Sequence, residues 1–319
     1  MILAGKIYRA TKILVLLCML SMPVFATGQA GQTLVINEVL ASSHSLTLDP
    51  KYKQFADWIE IYNSGTTAID LEGSYLTDDF SQPRKWRISD EAIVPAKGYL
   101  LFWADGMNDS LHTNFKLSND GEVVGLYAAD GSVIDTLTFG AQESDISYGR
   151  RIDNPTILLF YEQPTPRAAN ATPGLPTSQQ SGAVAMNEPS GFYANSIRVT
   201  MSAPGTIRYT TDGSTPTRTS REYTTPLAIT STTVLKARAF AANLLPGPIA
   251  TRTFFIDENV TLPTFSLTID PDFLWDDDDG IYVDENIAKR KLWERPAVIE
   301  FFEMDGRLAF ADEAAIRLF

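Results

Sequence analysis

Hydrophobic and polar positions alternate with a period of two along residues 34–63. In LVINEVL, Val35, Asn37 and Val39 fall on one side and Leu34, Ile36, Glu38 and Leu40 on the other. This predicts a strand with one face buried and the other mostly so. In DWIEIYN, Trp58, Glu60 and Tyr62 alternate with Ile59, Ile61 and Asn63, and Ser64-Gly65 closes the run as a turn. Short apolar runs continue at residues 86–88, 93–94, 100–104, 121–124 and 133–140, punctuated by Asn-Ser-Gly, Asn-Asp-Gly and Asp-Gly turns. Many short strands without a long helical stripe predict a sandwich or barrel. Trp58, Trp86 and Trp103 lie in these strands and are its expected core indoles.

A second set of strands is expected at residues 197–201, 206–211, 233–240 and 252–256, with an Asp212-Gly213 turn in between. Residues 163–188, rich in Pro, Ala, Thr, Ser, Gln and Gly, read as a linker with little to pack. Residues 258–319 add a few short apolar strands and an acidic run at Asp276, Asp277, Asp278 and Asp279. They end on AAIRLF, in or just after a strand, which suggests the front of a longer domain.

Three resemblances follow from these stretches. INEV, DWIEIYN and LEGSYLTDD, continued by LLFWA and FKLSN, resemble the lamin-tail domain, an immunoglobulin-like β-sandwich, which implies a module over residues 31–162. YTTDGSTPT at 209–217, with PSGFY before it and YTTPLAITSTTVLKARAF after it, resembles the fibronectin type III-like module found at the C-terminus of chitobiases, over residues 189–257. LWDDDDGIYV and WERPAVIEFF are similar to the opening of a CotH domain, whose fold is an atypical kinase. The fold class expected is all-β: an immunoglobulin-like lamin-tail β-sandwich, a small fibronectin type III-like β-sandwich, then an incomplete CotH-like α+β segment at 258–319.

Residues 1–26 have the three regions of a secretory signal peptide: Lys6, Arg9 and Lys12, an apolar run from Ile13 to Met22, and Val24-Phe25-Ala26 at the cleavage site. They imply export through the Sec route, cleavage near Ala26, and a secreted or cell-envelope protein with no transmembrane span in the mature chain. The single cysteine, Cys18, lies inside this leader, so the exported chain is expected to hold together without disulfides. The formal charge is −13, and loss of the leader makes it more negative. That balance repels phosphate backbones, so no nucleic-acid partner is expected in spite of Arg84, Lys85, Arg87, Arg150 and Arg151.

Candidate chemistry is sparse. Asp276–Asp279 is the one conspicuous metal candidate, and calcium the one cofactor it suggests. With Gly280 at the sixth position of an EF-hand loop, the end ligands fall on Trp275 and Asn286, and a solvated loop explains the run more simply. Asp212-Gly213-Ser214 is better explained as a hairpin turn than as a metal loop. Glu38, Asp57, Glu60 and Asn63 are polar positions inside apolar strands; a glycosidase pair is conceivable, and a framework role for Asn37, Glu38, Trp58, Glu60 and Asn63 is favoured. His44 and His112 stand in polar, loop-like surroundings with no convergent partners visible. The expected function is non-catalytic binding and display, toward a protein or cell-surface glycan. One alternative is the front of a CotH-type kinase with catalytic residues beyond Phe319. Another is a carbohydrate-binding module using Phe192, Tyr193 and Tyr223.

Overall fold

The structure, a computed structural model, describes residues 33–89, 91–259, 261–283, 286 and 293–318. The expected signal peptide lies outside the described residues. The regular secondary structure of the described residues is almost entirely strand. Its first sandwich faces a six-stranded sheet, ordered Gly174–Leu175, Asn154–Tyr161, Ser147–Arg151, Leu34–Leu40, Trp58–Asn63, Tyr99–Trp103, against a four-stranded sheet of Trp86–Arg87, Tyr75–Thr77, Gly121–Tyr127 and Val133–Gly140. Ile36, Ile59, Ile61, Leu76, Trp86, Phe102, Val124 and Leu137 fill the space between them.

The alternation read from the first strand changes phase midway. A bulge between Ile36 and Glu38 inserts Asn37, so Leu34 and Ile36 face the core before it, and Val39 and Ala41 after it. A bulge has this effect because one extra residue on one strand flips every later side chain to the opposite face. Leu40 is thereby sent to the outer face, where it packs with Trp58, Leu101 and Trp103 in a second small cluster. Trp86 is the indole of the main core, in edge contact with Phe102.

In the second sandwich a five-stranded sheet is ordered Gly191–Tyr193, Ala250–Ile256, Thr233–Phe240, Thr206–Thr210, Arg221–Glu222. Two shorter pairs close it: Ile197–Val199 with Leu227–Ile229, and Ala185–Met186 with Met201–Ser202. Val199, Leu235, Ala237, Ala239 and Phe254 form its core. Most strands are antiparallel, but Gly191–Tyr193 runs parallel to Phe254–Ile256.

Residues 163–188, expected as an unpacked linker, instead belong to both sandwiches. Gly174–Leu175 is an edge strand of the first, Asn170 is buried against it through Asn37 and the Arg150 carbonyl of the same sandwich, and Val184 enters the core of the second. Single contacts of this kind need no run of apolar residues, so the composition did not announce them.

The last segment forms a three-stranded antiparallel sheet, Thr264–Ile269, Arg295–Phe302 and Leu308–Ile316, and carries the short helix Pro271–Trp275. Asp270 caps that helix by accepting the Asp272 N–H, and Pro271 occupies the first turn, where its missing N–H costs nothing. The sheet is anchored rather than loose. Phe192 stacks on Phe255 at 4.3 Å, and Phe302 meets both rings edge-on. Thr253 donates to Glu300 and lies 3.0 Å from Ser266, and Asp270 accepts the Thr215 N–H at 3.0 Å. No described helix is long and apolar enough to cross a membrane.

Candidate functional site

The bulge at Asn37 sets Glu38 directly across from Glu60 on the outer face of the six-stranded sheet. Both are fully buried, because residues 165–170 lie over them. Glu38 accepts from the Ser147 hydroxyl and from both the N–H (3.3 Å) and hydroxyl (3.0 Å) of Thr165. Glu60 accepts from the Asn37 amide at 2.8 Å and from the Arg167 N–H. Asn170 ties these together, accepting from Asn37 and Thr165 and donating to the Arg150 carbonyl at 2.9 Å. Burial raises the pKa of Glu38; burial first, with the charge of Glu38 adding to it, pushes that of Glu60 up to about 8. A glycosidase pair needs both carboxyl groups open to the sugar and its water. These two are sealed under protein, and their hydrogen bonds hold strands and covering segment together.

The other expected framework positions lie in the same sandwich. Asn63 donates to the Thr67 and Val94 carbonyls and accepts from the Gly65 N–H, closing the turn after its strand. Trp58 is register partner to Trp103 in the outer cluster. Asp57 accepts from the Ser43 N–H, and burial pushes its pKa up to about 6.

Asp276–Asp279 do not converge on a common point. Asp276 accepts the N–H groups of Asp278 and Asp279, each at 2.9 Å, which closes a turn, while Asp279 pairs with Lys53 at 2.7 Å. Beside it the fully buried Arg295 donates to the carbonyls of Lys53, Asp279 and Glu294. The Asp212-Gly213-Ser214 loop is a tight turn: Asp212 accepts from the Ser214 N–H and hydroxyl, and Gly213 has φ +89°.

The three aromatics considered for glycan contact part company. Tyr223 packs against the second core and its hydroxyl accepts from the Met201 N–H. Tyr193 packs on Phe254 and donates to the Pro189 carbonyl. Phe192 alone, with Phe255, lines a cleft of about 400 Å³ that also includes Glu258, Asn259 and Thr261. None of the three is fully exposed, because each ring is held by a neighbouring strand.

One constellation was not foreseen. His112, only 3% exposed, lies between two aspartates: its Nδ1 is 2.7 Å from Asp105 Oδ2, and its Nε2 is 3.9 Å from Asp49 Oδ1. Tyr52 meets the ring edge-on and Trp103 stacks beside it. Asp49 is itself 1% exposed and held by the N–H groups of Lys51 and Tyr52. A cleft of about 240 Å³ opens here, lined by Asp49, Tyr99, Trp103, His112 and Arg167 among others. The Asp105 partner lies seven residues from His112, which local sequence does show; Asp49 arrives from a distant loop, which it does not.

Residues 27–141 match the Lamin Tail Domain family model, and residues 188–251 match that of the Chitobiase/beta-hexosaminidase C-terminal domain. The first sandwich is thus similar to lamin-tail domains and the second to the chitobiase module, as their motifs suggested. Neither match extends over residues 252–319. No curated protein matches the chain.

Proposed function

We propose that this chain is an exported, non-catalytic binding and display protein in which two β-sandwiches carry the C-terminal sheet and present it to a protein partner. The observation that supports this is the contrast between the two faces of that sheet. Its inner face is fixed by Phe302, Ser266 and Glu300 against the second sandwich. Its outer face presents Phe265, Leu267 and Phe310, 61%, 54% and 48% exposed, with Phe301 between the two phenylalanines. A contiguous apolar surface of this kind marks an interaction face. If the sheet opens a CotH-type kinase domain, the same face is instead covered by chain following Phe319.

Photo-crosslinking from positions 265 and 310 in the producing cell tests the reading. Capture of one defined protein on the exterior, with a mature N-terminus just after Ala26, is the expected result. An intact Met1 on a cytosolic product, or crosslinks confined to the protein's own chain, would count against it. The second reading, glycan contact, draws on the match to the chitobiase module and on the Phe192 cleft. Its check is a glycan array, where binding should be lost in Asn259→Ala, at an exposed position of the same cleft, with the thermal melt retained.

A further inference from the structure

The cluster around His112 fits a bound cation better than it fits a purely structural ion pair, and the geometry points to a site for a divalent transition metal of the zinc class, held by His112 Nε2 and Asp49. Three observations carry it. The Nδ1 of His112 is engaged by Asp105 Oδ2 at 2.7 Å. With the proton on Nδ1 donated to that carboxylate, the Nε2 lone pair is free and directed to the other side of the ring. A carboxylate behind a histidine in this way fixes the tautomer and strengthens the metal-facing nitrogen.

The second observation is what Nε2 meets. It faces Asp49 in the cleft, from a His112 side chain only 4% exposed. The nearest acceptor is Asp49 Oδ1 at 3.9 Å, too far for a hydrogen bond. Zinc binds nitrogen and carboxylate oxygen at about 2.0–2.2 Å each, a tetrahedral span of about 3.4 Å, so the two ligand atoms need to close by only about 0.5 Å to share one ion. Single ligand atoms from Asp49, Asp105 and His112 lie within 4.8 Å of one another.

Preorganisation is the third. Asp49 is oriented by the N–H groups of Lys51 and Tyr52 at 2.9 and 2.8 Å, and Asp105 by that of Met107 at 3.0 Å. Tyr52 and Trp103 clamp the imidazole ring. Asp49 and His112 also line the 240 Å³ cleft, which leaves the remaining coordination positions to water or to a small ligand. Imidazole with carboxylate suits zinc, and other late divalent ions, better than calcium, which prefers a shell of oxygens.

The test is calorimetric titration of the full chain, purified without a polyhistidine tag, with zinc chloride. Saturable equimolar binding is expected, eliminated in His112→Gln and weakened in Asp49→Asn. Asp105→Asn, which keeps both ligands and alters only the orienting group, should lose about 10–100-fold in affinity. Asp276→Asn/Asp278→Asn, in the exposed acidic run, should leave affinity unchanged. The wild type offers a readout that needs no variant to fold: it holds only two histidines, His44 and His112, so zinc should shift the imidazole NMR signals of His112 and not of His44. Absence of saturable binding, zinc shifts on His44, or full affinity in a folded His112→Gln would each overturn the assignment.

Discussion

Glu38 and Glu60 are register partners on adjacent strands, and both carboxyl groups are shut away from water by a segment that reaches them from more than a hundred residues further along the chain. Two like groups in this position favour the neutral form, because burial penalises charge and each ionised group penalises its neighbour.

The first prediction concerns pH. Glu60 rises from 4.5 to about 8 on folding and Asp57 from 3.8 to about 6, with Glu38 raised as well. The folded chain therefore holds protons that the unfolded chain has released. The stability these groups contribute is complete below their unfolded pKa values and is lost as pH rises, most of it between about 4.5 and 8. Each such proton gives a slope of about 1.4 kcal/mol per pH unit. Urea unfolding followed at pH 5, 6.5 and 8 should show the midpoint falling, and Glu60→Gln should flatten the trend.

Gly149 lies opposite Glu38, and a Cβ there would stand 2.6 Å from Asn170 Nδ2, 2.7 Å from the Asn37 carbonyl oxygen and 3.0 Å from Glu38 Cγ. Gly149→Ala is expected to destabilise the first sandwich by about 1–3 kcal/mol through overpacking. Chemical denaturation measures it.

Arg167 is the one trypsin site within residues 163–188, and its N–H is held by Glu60. Trypsin should leave it intact in the native chain. Asn170→Ala removes the amide that links Asn37, Thr165 and the Arg150 carbonyl, and cleavage after Arg167 should then appear in peptide mapping. Equal resistance in the variant would show that Asn170 does not hold the segment down.

Arg295 supplies donors to three backbone carbonyls from a fully buried position. Hydrogen bonds to a charged group are worth about 1.5–3 kcal/mol each, and orphaned buried carbonyls add their own cost. In Arg295→Ala, hydrogen exchange should accelerate in residues 295–316 with little change in the strands Leu34–Leu40 and Trp58–Asn63.

Nucleic acid is a further case. Arg150 pairs with Asp135, Arg151 with Asp153 and Lys85 with Asp78, so much of the local basic charge is already matched. A gel shift at about 0.15 M salt, where screening acts over ~8 Å, should show no duplex complex.

The strands at Leu34–Leu40, Trp58–Asn63 and Thr233–Phe240 were legible because alternation and β-branched content point the same way there. The bulge was not, since Asn37 sits between residues that suit either face. Nor was the covering segment: Thr165, Arg167 and Asn170 act through hydrogen bonds to strands that are distant in sequence, and such bonds have no periodicity. The same is true of His112. Its chemistry depends on Asp49, and only the folded loops bring the two together.

The parallel pairing of Gly191–Tyr193 with Phe254–Ile256 joins the strand that enters the five-stranded sheet to the strand that leaves it. Tension applied at the two ends of this module therefore draws the pair in opposite directions along their common axis. The ladder between them is loaded in shear, all bonds at once, whereas a hairpin pulled from its open end unzips one bond at a time. The second sandwich is thus wired to take load along its terminal strands rather than across them.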